Sequence, residues 1–226
     1  MKIFVIILIN LFIFIIGYLV GSLNTSIILS HKRKSQDIRD YNSKNAGATN
    51  SLRTYGGKFA LAVLIVDILK SYLTVMIFSL LTRFIPATST YLIIPMLAGV
   101  GVVIGHIYPI FYNFKGGKGA ACSLGVLIAI NPLNLFISAF IFFSVIFITR
   151  YVSLASMLTA FLMIFVCFCP WMSQGILAIF KNNAGYFYIE GICFTACAML
   201  LIFAHRSNIS RLINGTERKQ KLSKSK

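Results

Sequence analysis

Acidic side chains are nearly missing from this sequence: Asp and Glu together number 5 in 226 residues, against 21 Lys and Arg. Charged residues of both signs make up 12%, about half the share usual in a soluble domain, while 58% of the residues are hydrophobic. That balance excludes a soluble globular protein. The five cysteines (Cys122, Cys167, Cys169, Cys193, Cys197) all sit in apolar sequence. Neither Cys167-x-Cys169 nor the Cys193–Cys197 pair has the spacing of a zinc site, and no histidine is close in sequence. They read as small hydrophobes, and neither a metal nor a cofactor is expected. No GxxxxGK[ST] spacing exists, so an ATP-binding P-loop is excluded. No Ser–His–Asp order or reactive thiol is apparent either.

What the chain does have is long apolar runs, several near or above the roughly 20 residues that cross a bilayer. The run Ile3–Val20 is too long for the core of a removable signal, so it reads as a retained span. The expected segments are Ile3–Leu29, Phe59–Leu81, Tyr91–Tyr112, a short Ala120–Ile130, Leu133–Thr149, Val152–Cys169 and Tyr186–Ala204. Turns are expected at Arg83–Thr90, with Pro86, and at Pro170–Lys181. The sequence therefore predicts an all-α polytopic membrane protein of about seven transmembrane helices in a single domain, 1–226. The basic tail 218–226 reads as disordered.

The basic residues are clustered. Seven lie between His31 and Lys58, two at Lys115 and Lys118, one at Arg150, and seven follow His205. With seven crossings and an outside N-terminus, all four groups fall on the cytoplasmic side, as the positive-inside rule demands. Nucleic-acid binding is then unnecessary to explain the charge, and attraction to anionic lipids accompanies it.

Three polar segments share that side. The middle one, FYNFKGGKGAAC (Phe111–Cys122), puts Lys115 and Lys118 among Gly116, Gly117 and Gly119 between two apolar runs. A cation at membrane depth needs water or an anionic partner. Successive glycine amides beside ammonium groups, opening a helix at about Gly119, suit phosphate. A short basic loop that merely holds the chain at the cytoplasmic surface is the alternative. The first segment, DIRDYNSKNAGATNSLRTYGGK, offers Asp37, Ser43, Asn45, Gly47, Thr49, Asn50 and Arg53, and Arg suits bidentate phosphate recognition. It also reads as a turn-rich loop capping the next helix. In the third segment, His205 and Asn208 stand at i, i+3 and share a helix face. Asp67 and Lys70, also i, i+3, read as an intramembrane ion pair that supports the site or the fold.

With Gly21–Ser22 and DIRDYNSKNAGATNSLR, then GHIYPIFYNFKGGKGAA, then HRSNISRLINGTE, in that order, the chain resembles the bacterial acyl-phosphate-dependent glycerol-3-phosphate acyltransferase family over nearly its whole length. The resemblance implies a seven-helix enzyme of the bacterial plasma membrane with cytoplasmic motif loops and C-terminus. It implies acyl phosphate and glycerol 3-phosphate as substrates, and lysophosphatidic acid and phosphate as products. An enzyme producing acyl phosphate is then a possible partner. Carried over by position, Ser43, His205 and Asn208 would serve catalysis, with Arg53, Lys115, Lys118, Gly116, Gly117 and Gly119 on phosphate. Asn45, Gly47, Thr49, Asn50, Asp67, Lys70, His106 and Glu217 would support the motifs. One departure is visible: where the family has glycines beside the first-motif serine, this chain has Asn42 and Lys44. The HxxxxD signature of CoA-dependent glycerolipid acyltransferases is missing after His31, His106 and His205, and three aspartates are too few for a CDP-alcohol phosphotransferase. A transporter or channel for a small anion is the alternative from another class.

Overall fold

The structure is a computed structural model that describes residues 2–84, 92–174, 176–181 and 187–220. Its described residues form helices without strands. In chain order these are α1 (Lys2–Ser22), α2 (Thr25–Lys34), α3 (Ala48–Tyr55), α4 (Gly57–Phe84), α5 (Met96–Ile107), α6 (Ala120–Ile130), α7 (Leu133–Thr149), α8 (Val152–Cys167), α9 (Trp171–Gln174), α10 (Phe187–Ala204) and α11 (Arg206–Ile213). Helices α1, α4 and α10 carry apolar stretches long enough to cross a membrane, and α5, α6, α7 and α8 are shorter apolar helices. The membrane-spanning all-α architecture is the one the apolar runs require.

The first span ends sooner than its hydropathy indicates. Residues Leu23 and Asn24 break Ile3–Leu29 into α1 and α2, because Asn24 caps α2 by accepting from the Ile27 N–H at 3.2 Å. Asn24 also donates to the Ala46 carbonyl (3.3 Å), which ties the break to the first polar segment. Below the break, Lys70 Nζ donates to the carbonyls of Gly21 and Leu23 (3.3 and 3.2 Å) and pairs with Asp67 at 2.8 Å. Thr25 donates to the same Asp67 oxygen (2.7 Å). The buried ion pair thus satisfies the open carbonyl end of α1. Arg83 closes α4 instead of opening a turn, and Pro86 lies outside the described residues.

Helices α1 and α5 pack backbone to backbone. A Cβ on Gly17, Gly21, Gly101 or Gly105 would stand within 2.3 Å of a carbonyl oxygen of the facing helix. Helix α6 is short because it is interior: Cys122, Ser123, Gly125, Val126, Leu127, Ala129 and Ile130 are buried, with α4, α5, α7, α8 and α10 around it. The four cysteines Cys122, Cys167, Cys193 and Cys197 are buried and free.

Candidate active site

All three polar segments line one cavity of about 640 Å³. The first contributes Ser43, Asn45, Gly47, Thr49, Asn50 and Arg53, the second Lys118 and Gly119, and the third His205, Asn208 and Glu217. Asp67 and His106 reach its wall from α4 and α5. The remaining walls come from inside the bundle and are mostly apolar, with a few hydroxyls among residues such as Ile68 on α4, Leu124 and Leu127 on α6, Phe142 on α7, Ala160 on α8 and Phe194 on α10. One end is polar and cationic, the other greasy.

The first segment is a folded loop stapled by Asn50. Its Nδ2 donates to the carbonyls of Ile38 (3.0 Å) and Tyr41 (3.1 Å), and its Oδ1 accepts the Ser43 N–H (3.1 Å). Asn42 and Lys44, on either side of Ser43, both hold left-handed backbone (φ 50° and 55°). The loop keeps a glycine-type path without glycine, which Asn tolerates better than Lys. A second staple is Arg39. Its guanidinium grips Asp37 at 2.7 Å and donates to the carbonyls of Tyr112 (2.9 Å) and Lys115 (3.1 Å). That grip, mainly its side-chain hydrogen bond, holds the Asp37 carboxyl below the usual range.

The glycine loop corrects one expectation. The N–H groups of Gly116 and Gly117 do not form an open anion nest: they donate to the carbonyls of Ile107 and His106 (3.1 and 3.0 Å). Gly116 also accepts from the Ala46 N–H (3.3 Å). Neither glycine lines the cavity, and nor does the exposed Lys115. What these glycines provide is closeness, since a Cβ on Gly117 would stand 2.0 Å from His106 Nε2. Gly119 differs. It sits at φ 81° at the start of α6, whose first residues Ala120 and Ala121 also line the cavity without any side-chain cap. There the unbonded amides of a helix N-terminus face the site.

Glu217 organises the third segment. One carboxylate oxygen accepts from Ser153 (2.7 Å) and Asn208 Nδ2 (2.6 Å), the other from Arg211 Nε (2.7 Å). Burial pushes the carboxyl upward, but these hydrogen bonds together outweigh it and hold it below its ordinary value. Held this way, Asn208 presents Oδ1 to Lys118 Nζ. His205, immediately before α11, is buried, with Nδ1 2.8 Å from the Leu201 carbonyl. The carbonyl must accept, so the proton is on Nδ1 and Nε2 carries the free lone pair. Burial lowers the His205 pKa to about 4, and Lys118 adds to the effect, so the ring is neutral at pH 7. Burial, helped by Arg211 and Arg53, lowers Lys118 to about 8. Burial and the neighbouring Arg218 and Arg211 also lower Arg53, which remains a cation. The site is therefore positively charged and short of counter-charge.

Sequence reasoning passed over Arg211, Arg218 and Ser153, all of which line the cavity. Arg211 lies inside the third motif without a role assigned to it, and Arg218 reads as the start of the basic tail. Their signal was the spacing around Glu217, since a lone carboxylate six residues after Arg211 needs a cation. Among the described residues, Asp67, His106 and Cys122 form the one cluster with metal-ligand donors close together. The Lys70 ammonium, 2.8 Å from Asp67 and 3.3 Å from His106 Nδ1, already meets that carboxylate.

A family model described as glycerol-3-phosphate acyltransferase matches residues 11–215. The glycerol-3-phosphate acyltransferase of Mycoplasmopsis agalactiae is 48% identical, over 94% of this chain and 95% of the relative. That of Mycoplasmopsis synoviae is 44% identical, over 99% and 100%. The crystal structure of PlsY (YgiH), an integral membrane glycerol 3-phosphate acyltransferase in its glycerol 3-phosphate form, superposes with a TM-score of 0.75 at 31% identity, covering 94% of this chain and 96% of that one. Its lysophosphatidic acid form gives 0.73 at 29%, over 94% and 95%.

Proposed function

The chain belongs to the glycerol-3-phosphate acyltransferase family, and from that premise we propose that its acyl donor is an acyl phosphate, consumed in the cavity described above. The products are then 1-acyl-glycerol 3-phosphate and inorganic phosphate. One observation carries the reading: Arg53, Lys118, His205 and Asn208 line a cavity whose walls inside the bundle are mostly apolar. A substrate pair with two phosphates and one long tail fits that division. The cations offset the repulsion between the phosphates, and the tail stays out of water at about 0.8 kcal/mol per CH₂.

An acyl phosphate is a mixed anhydride with a stable leaving group, so positioning and charge neutralisation suffice and no acyl-enzyme is needed. The 1-hydroxyl oxygen of glycerol 3-phosphate attacks the carbonyl carbon, the acyl–phosphate C–O bond breaks, and phosphate departs. Neutral His205 offers its Nε2 lone pair to the attacking hydroxyl, while Asn208 amide and Lys118 hold the phosphate-bearing partners. A histidine whose pKa is about 4 is a weak base. This favours orientation by His205, with the proton ending on a substrate phosphate oxygen. Cytoplasmic motif loops with an outside N-terminus agree with the basic clusters of the sequence. The test is phosphate release by purified protein supplied with palmitoyl phosphate and glycerol 3-phosphate. Release that requires both is expected; uptake into sealed vesicles without turnover would replace the enzyme reading by transport.

A further inference from the structure

Ser123, on the second turn of α6, is 3% exposed and lines the cavity, and its hydroxyl has no hydrogen-bond partner among the described residues. Ser51, Ser79 and Thr159 share that state, and of these only Thr159 also lines the cavity, while most helical hydroxyls here are bonded. Ser71, Thr74, Ser138, Thr149, Ser156 and Thr195 all return their hydroxyls to the carbonyl four residues back. Ser123 could do the same with Gly119 and does not. A buried hydroxyl left unbonded has given up its hydrogen bonds to water without replacing them, which costs the fold stability.

Its place along α6 gives that cost a purpose. Gly119, Ala120 and Ala121 line the cationic end of the cavity beside Lys118, and Leu124 and Leu127 line the apolar end. Ser123 stands between them, about 4.5 Å along the axis from Ala120. Helical side chains lean towards the N-terminus, so its hydroxyl overhangs the uncapped first turn. An acyl phosphate has one atom group that must occupy such a boundary: the carbonyl joining its phosphate to its tail.

We infer that Ser123 is a catalytic residue whose hydroxyl donates to the carbonyl oxygen of the acyl donor, with the uncapped first turn of α6 beside it. The inference rests on the acyl-phosphate reading above. When the glycerol oxygen adds to the carbonyl carbon, the carbonyl oxygen takes up negative charge. The Ser123 hydroxyl bonds that charge more strongly than the ground-state carbonyl. As phosphate leaves, the carbonyl re-forms and the bond weakens; the serine itself neither loses a proton nor becomes acylated. A donor kept free of its own helix is already oriented for this.

The test compares Ser123→Ala with Ser79→Ala in the phosphate-release assay, alongside thermal unfolding. Ser79, on α4, also carries a buried hydroxyl without a partner among the described residues, but it does not line the cavity. Ser123→Ala is expected to lower kcat by about 100-fold. It should leave the KM for glycerol 3-phosphate unchanged and the unfolding temperature the same or higher. Ser79→Ala should keep the wild-type kcat. Wild-type kcat in Ser123→Ala overturns the inference. So does a lower unfolding temperature or failure to fold, because the hydroxyl would then serve the fold. An equal fall in Ser79→Ala would likewise remove Ser123's special place. Wild-type protein that releases no phosphate from palmitoyl phosphate defeats the underlying reading; intact wild-type turnover with an indifferent Ser123→Ala defeats only the inference.

Discussion

Replacing Glu217 by Gln changes a few atoms and should disable the third segment. The side chain is 7% exposed and accepts three hydrogen bonds, from Ser153, Asn208 and Arg211. An amide has one acceptor oxygen, so its NH₂ must face either Arg211 Nε or Asn208 Nδ2, donor against donor, and the Ser153 hydroxyl alone can turn to accept. The charge assistance is lost on the other side too. Hydrogen bonds to charged groups are worth about 1.5–3 kcal/mol each, so losing one and weakening the rest costs roughly 2–4 kcal/mol. For a chain of this length that lowers the unfolding temperature by roughly 5–12 °C. The buried thiols supply the assay, because a thiol-reactive dye reports Cys122, Cys167, Cys193 and Cys197 as they become exposed on heating. Asn208, no longer held, loses its aim at Lys118, and a displacement of that kind costs about 100-fold in turnover. Unchanged turnover together with an unchanged unfolding temperature would refute the claim that this carboxylate positions the site.

Lys118, with its pKa held at about 8, is charged below that pH and loses its proton above it, so the KM for glycerol 3-phosphate should rise as pH climbs past 8. Lys118→Arg, which stays charged, should flatten that rise even if kcat falls; a rise that persists would exclude Lys118 as its source. Gly117→Ala would put a Cβ 2.0 Å from His106 Nε2 and 2.8 Å from the Ala46 carbonyl, so unfolding should come earlier by about 1–3 kcal/mol, read by the same dye. His205→Gln should keep substantial phosphate release, as orientation requires; complete loss with intact folding would instead make His205 an obligatory base.

Much of this was legible in the chain. Helices α6 and α7 begin and end where apolar runs meet Gly119, Pro132 and Arg150, because glycine and proline end helices locally. The ion pair of Asp67 and Lys70 followed from their spacing and the expense of lone charges in lipid. Two things were hidden. The break at Leu23–Asn24 rests on an Asn24 cap that is further tied to Ala46, distant in sequence, and neither bond registers in hydropathy, which runs straight through it. The glycines at 116 and 117 matched the composition of an anion nest, yet a composition does not say where amides point; the carbonyls of Ile107 and His106 were their nearer partners. Arg211 and Arg218 were concealed among other basic residues, since a positive charge placed for topology looks the same in sequence as one placed for substrate.

Arg39, finally, fastens one loop to another: with Asp37 in its grip it holds the backbone at Tyr112 and Lys115. Two stretches that the chain order separates by more than fifty residues therefore travel as one piece. Damage to either is damage to both, so substitutions in the first loop and around the glycines should combine to less than the sum of their separate effects. A substitution at Gly116 is expected to be felt at Ala46, whose N–H its carbonyl accepts, although three helices stand between them in the chain.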